Sequence, residues 1–109
     1  MPKIAVAQYP PVLLDRDATI ARAVELVEQA ANEGAVLVVF PEAFAPGYPT
    51  WVWRLRPGAD MALSGELHER LVDQAVDLSK DHLRPLREAA QRLGVTVLIG
   101  IDEREPAIV

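Results

Sequence analysis

Residues 34–48 read GAVLVVFPEAFAPGY. A short apolar run, residues 35–40, ends in Pro41, and one carboxylate, Glu42, stands directly beyond it. Val and Phe dominate the run, which suits a strand buried on both faces, as in a parallel sheet. Pro41 has no N–H to give to a ladder, so the strand stops there. Glu42 therefore falls just past the carboxyl end of a buried strand, the place where ligands bind in open α/β sheets. Two readings of Glu42 stand side by side. It is a solvated or turn-capping carboxylate, or it is a functional one. For the second reading, apolar flanks predict partial burial, and burial raises a carboxylate's pKa toward the range of a general base. Tyr48, Trp51 and Trp53 follow closely enough to wall a pocket.

Before this stretch, residues 3–8 (KIAVAQ) read as a first strand, stopped by Pro10 and Pro11. Asp15 or Asp17 is positioned to cap a helix. Two nearby carboxylates also suit a cation, but the amphipathic helix that follows at once favours capping. Its apolar stripe is Ile20, Val24, Val27 and Ala31, and Gly34 ends it as a C′ glycine. Strand, helix and strand form a βαβ unit, expected to be parallel and right-handed.

After it, the regular pattern breaks over residues 45–65. A loop this long is functional or a packed excursion. Tyr48, Trp51 and Trp53 line a pocket, meet another subunit, or fill ordinary core. Arg54 and Arg56 suit an anion or a solvated loop. Residues 66–78 are predicted helical, with Ser64 as N-cap and Leu67, Leu71, Ala75 and Leu78 on one face. Pro85 breaks or restarts the helix. Leu86, Ala89, Ala90 and Leu93 make a second stripe closed by Gly94, and residues 95–101 (VTVLIGI) form a third buried strand. His68 and His82 do not share metal-ligand spacing and read as surface residues. The order is β-α-β-loop-α-α-β. The tail, DEREPAIV, completes no recognisable element, so the chain reads as an incomplete domain with apolar faces that need more chain or a partner.

The 109 residues carry a net charge of −5, are 50% hydrophobic and 25% charged, and include no cysteine. Such a chain is globular. It has no basic patch for nucleic acid and no thiol for a disulfide, thiolate metal site or nucleophile. No apolar run is long enough to cross a membrane. The N-terminal MPKIAVAQYPPVLL reads as a strand rather than a leader, which makes the cytoplasm the expected location. YPPVLLD follows the first strand where a phosphate-binding domain would place glycines, which argues against a small flavodoxin-like ligand-binding domain.

Residues 3–53, from KIAVAQ to the WVW at 51–53, resemble the opening of a nitrilase of the carbon–nitrogen hydrolase superfamily, and the similarity extends through GIDER at 100–104. FPEAF followed by PGYP and a Trp is its most specific part. The resemblance implies a four-layer αββα sandwich and a Glu-Lys-Cys catalytic set, with Glu42 on the family's Glu as general base. It implies a small-molecule nitrile or amide substrate, with Tyr48 and Trp51 facing it, no metal or organic cofactor, and homo-oligomers, often spirals. The departures matter equally. The family's Lys and Cys come later than this sequence reaches, and Lys80 matches neither motif. The EPAIV end also differs from what usually follows GIDER. Residues 1–109 are thus expected to be a partial domain, truncated on its C-terminal side and inactive alone. The competing reading is a non-catalytic remnant or assembly module that binds a full-length relative.

Overall fold

The structure, a computed structural model, describes residues 1–105; the expectations for the tail at 106–109 lie outside them. Three strands, β1 (Lys3–Val6), β2 (Ala35–Val39) and β3 (Thr96–Leu98), form one sheet in the order β1-β2-β3, with both pairings parallel. The helices are α1 (Arg16–Asn32), α2 (Met61–Gln74) and α3 (Arg84–Leu93). The α/β class and the β-α-β-loop-α-α-β order hold. Each strand is shorter than its apolar run, because residues beyond it leave the ladder for turns and single bridges.

Helix α1 begins where Asp15, in extended conformation, accepts a 3.0 Å hydrogen bond from the Ala18 amide. This satisfies one of the amides that a helix start leaves unpaired. Of the two aspartates offered as caps, Asp15 takes the role, and Asp17 pairs with Arg16. The buried stripe runs through Ile20, Ala23, Val27 and Ala30, with Val24 and Ala31 on its flank. The small side chains at 23 and 30 face inward, so α1 lies close to its neighbours. Leu86 of α3, Ala7, Val38, Phe40 and Phe44 complete this core. Gly34 follows α1 at φ +91°, a conformation glycine adopts without strain.

Helices α1 and α3 cover one face of the sheet, giving one sheet and one helix layer of the expected sandwich. The other face is apolar and open: Ile4, Val6 and Leu98 are 59%, 64% and 61% exposed. Helix α2 buries no residue fully.

Two local expectations are corrected in α2. It starts at Met61 rather than at residue 66, so Ser64 lies inside the helix and is not its N-cap. Asp60 stands at the cap position, yet its carboxylate turns back to the amide and guanidinium of Arg56 (2.7 Å to the amide). The helix also ends at Gln74 instead of reaching Leu78. Ala75 turns extended, and Val76 pairs with the chain after β3 through Val76 N–H to Asp102 O at 2.8 Å and Arg104 N–H to Val76 O at 2.8 Å.

Candidate functional site

The carboxyl edge of the sheet is where β2 hands over to the loop carrying Glu42. The last ladder bond is Phe40 N–H to Leu98 O at 2.8 Å. Pro41 offers no amide, and residues 42–44 form a turn. Ala43 adopts φ +49°, the left-handed region that costs a residue with a Cβ about 1–2 kcal/mol. Past the turn the chain rejoins the sheet edge. Ala45 N–H donates to Gly100 O at 3.3 Å, and Asp102 N–H donates to Ala45 O at 2.9 Å, making a parallel bridge between Ala45 and Ile101.

This path decides which side chains go inside. Ala43, Phe44, Ala45, Pro46 and Gly47 are all buried, and the Phe44 ring lies 5.1 Å from that of Phe40. Glu42 is exposed, and among the described residues its carboxylate makes no hydrogen bond or ion pair. The partial burial expected from its apolar flanks is therefore absent. The turn at Ala43 folds the residues after it inward and leaves Pro41 and Glu42 outside.

The loop is supported from a second side. The stretch before α1 lies against it: Leu14 N–H donates to Pro46 O at 3.0 Å, and Leu13 packs so closely on Gly47 that a Cβ there would meet its Cδ1 at 2.5 Å. That stretch is in turn pinned by Thr19, fully buried, whose hydroxyl donates to Val12 O at 2.8 Å and accepts from the Val12 amide at 3.1 Å.

The aromatic residues continue outward. Tyr48 is 42% exposed, Trp51 is half-buried in a 3₁₀ turn at Thr50–Trp53, and Trp53 is exposed. Tyr48 and Trp51 follow Glu42 on the same excursion, and no hydrogen bond joins either to it among the described residues. Arg56 is engaged by Asp60 and Arg54 is exposed. Lys80 lies exposed in the 3₁₀ turn at Leu78–Lys80. His68 is exposed as expected. His82 is not a plain surface residue: half-buried, its Nδ1 accepts the Asp77 amide at 2.9 Å. Among the described residues no three His, Asp or Glu side chains converge on a metal position.

Two residues at this edge escaped the sequence reading. Asp102 follows β3 as Glu42 follows β2, and its Oδ2 is buried without a hydrogen-bond partner among the described residues. Burial pushes its carboxyl above the usual range. The rule that singled out Glu42, a carboxylate just beyond a parallel strand, also points to Asp102 in GIDER. The second residue is Gly100, which packs on the Glu42 backbone; nothing in its sequence neighbourhood marks that contact.

The family profile for carbon–nitrogen hydrolases matches residues 3–108. A nitrilase from Pseudomonas syringae is 40% identical over 105 residues, covering 96% of this chain and 30% of the relative. An arylacetonitrilase from Aspergillus niger is 37% identical over 103 residues, covering 94% and 29%. An aliphatic nitrilase from Rhodococcus rhodochrous is 34% identical over 105 residues, covering 96% and 27%. The chain thus spans about 30% of the length of the curated relatives it matches.

Proposed function

Because the chain belongs to the carbon–nitrogen hydrolase family, we propose that it is the N-terminal part of a nitrilase-type enzyme and carries that enzyme's general base, Glu42. The observation that supports this is the placement of Glu42. It is a carboxylate with no partner among the described residues, directly beyond a parallel strand and on a turn held from both sides. In the reaction proposed, a cysteine thiolate attacks the nitrile carbon, and the nitrile nitrogen takes up a proton as a thioimidate forms. Water added to that carbon expels ammonia and leaves a thioester, and a second water frees the carboxylic acid and restores the thiol. Glu42 receives protons from thiol and water and returns them to the departing nitrogen. A lysine steadies the charged intermediates. The cysteine is not among the 109 residues, so this chain alone is proposed to be inactive, since the members of such a set act as a unit. Tyr48 and Trp51 are proposed to face the substrate, and the reaction is assigned to the cytoplasm with no metal or organic cofactor.

The test grafts this chain in place of the matching segment of the Pseudomonas syringae nitrilase. Ammonia release from simple aliphatic and aromatic nitriles is then measured. Glu42→Gln and Glu42→Ala should lower turnover by about 10²-fold or more, the usual worth of a positioned general base. A Glu42→Gln graft that turns over like its parent refutes the assignment. For the isolated chain, ammonia release well above that of its own Glu42→Ala variant refutes the proposed inactivity.

A second reading is favoured by the open sheet face. The exposed surface is 7317 Å², against roughly 6,000 Å² for a compact monomer of this mass. Ile4, Val6 and Leu98 form an apolar face of the kind that marks an interaction site. In this reading the chain is an assembly module that docks on a full-length relative. Light scattering discriminates, because a cooperative monomer at all concentrations, alone or mixed with the relative, contradicts it.

A further inference from the structure

We propose that Gly100 is a positioning residue for Glu42, acting because it has no side chain. The inference rests on the reading of Glu42 as general base. A Cβ at position 100 would lie 2.5 Å from the Ala43 amide nitrogen, 2.7 Å from the Pro41 carbonyl oxygen and 2.8 Å from the Glu42 Cα. All three are backbone atoms, and they bracket Glu42. No flexible side-chain end can move aside to relieve the contact. Gly100 is not in a positive-φ conformation, so no left-handed backbone calls for glycine there, and the close approach is what requires it.

The surroundings make this contact a fixed seat. Immediately before it, Phe40 is tied to Leu98 by the 2.8 Å ladder bond; immediately after it, Ala45 is tied to Gly100 itself and to Asp102. The turn between is held at the unusual φ of Ala43, and Phe44 is anchored in the core beside Phe40. The Glu42 carboxylate has no polar partner of its own among the described residues, so its place is set by its backbone, and Gly100 sets that backbone.

A methyl group at 100 sits about 0.9 Å inside ordinary contact, which begins at 3.4 Å. The turn must move by a comparable distance. A displacement of about 1 Å in a reacting constellation costs on the order of 10²-fold in rate. Nothing in the contact touches substrate binding directly, so the loss belongs to kcat rather than KM.

The experiment has two parts. In the 109-residue chain, Gly100→Ala should shift the amide resonances of Glu42, Ala43 and Ala45 and speed hydrogen exchange at Ala45. Gly65→Ala, whose methyl meets open space, should leave them in place. In the nitrilase graft, Gly100→Ala should lower kcat about 10²-fold with KM nearly unchanged. The double variant Gly100→Ala/Glu42→Gln should be no slower than Glu42→Gln alone, because both lesions act through one group. Additive losses, unmoved amides at 42–45, or loss of the whole fold in Gly100→Ala would each overturn the positioning role. A graft in which Glu42→Gln has no effect instead removes the general-base reading, so the two failures are told apart.

Discussion

Replacing Thr19 by Val keeps the shape of a fully buried side chain and removes only its hydroxyl. That hydroxyl makes two bonds to one residue, giving a proton to the Val12 carbonyl at 2.8 Å and taking one from the Val12 amide at 3.1 Å. The carbonyl keeps a second partner, the Asp15 amide at 3.1 Å, whereas the Val12 amide is left with none. An orphaned amide costs about 1–3 kcal/mol, and a lost second bond to the carbonyl adds about 0.5–1 kcal/mol. Val12 is only half-buried, so water relieves part of this, and about 2 kcal/mol is expected. With a urea dependence near 1–1.5 kcal/mol per molar for a chain this short, the midpoint should fall by roughly 1.5 M. Thr19→Ser keeps both bonds and loses one methyl, which costs about 1 kcal/mol. The expected order is therefore Thr, then Ser, then Val, the reverse of what side-chain hydrophobicity alone gives between the two variants. Equilibrium urea unfolding followed by circular dichroism measures it. The Leu14 amide, bonded to Pro46 O, should exchange faster in Thr19→Val, because the loosened stretch is the one that braces the Glu42 loop. A Val variant as stable as the parent, or more stable than the Ser variant, refutes the reasoning.

Asp102→Asn should stabilise the chain at pH 7. Burial raises the Asp102 carboxyl above 3.8 in the fold, so stability is fully present below 3.8 and is lost as pH rises through the raised value. Urea midpoints of parent and variant should converge as pH falls to 3.8; an advantage that is constant with pH, or grows as pH falls, refutes it. Leu98→Lys places a charge on the open sheet face at a 61% exposed position. It should leave the thermal midpoint within a few degrees and abolish any concentration-dependent mass in light scattering, and a variant that associates like the parent shows that this face is not the contact.

The sequence makes the skeleton of the site readable and hides its interior. An apolar run closed by Pro41 announces β2 and leaves Glu42 at its end, because strand and proline are local matters. Asp15 caps α1 as its spacing suggests. At α2 the same reasoning fails although the competitor is local: Arg56, four residues earlier, takes the Asp60 carboxylate, and the helix starts at Met61 without a side-chain cap. The exposure of Glu42 is hidden for a related cause. Its neighbours are apolar in sequence, but at the left-handed Ala43 the chain after Glu42 turns into the core, while Pro41 and the carboxylate stay outside. Gly100 is hidden because its role exists only where β3 runs beside the turn, a contact between residues nearly sixty positions apart.

The arrangement around Glu42 places all of the order in the backbone and none in the side chain. The β2 ladder, the Ala45 bridge, the buried Phe44 and the seat at Gly100 fix where the Cα stands. The carboxylate beyond it is exposed and has no hydrogen-bond or ion-pair partner among the described residues. A general base must meet its proton at hydrogen-bond distance, about 2.6–3.2 Å. A side chain that reaches that distance from a fixed Cα needs only its own few torsions settled by whatever it protonates or deprotonates. That division suits a base whose nucleophile comes from another part of a larger fold. The backbone seat forms within residues 1–105, and in the proposed reaction the final alignment would be left to the thiol and substrate. It also explains why the seat, rather than a hydrogen bond to the carboxylate, is where a single methyl group should cost the most.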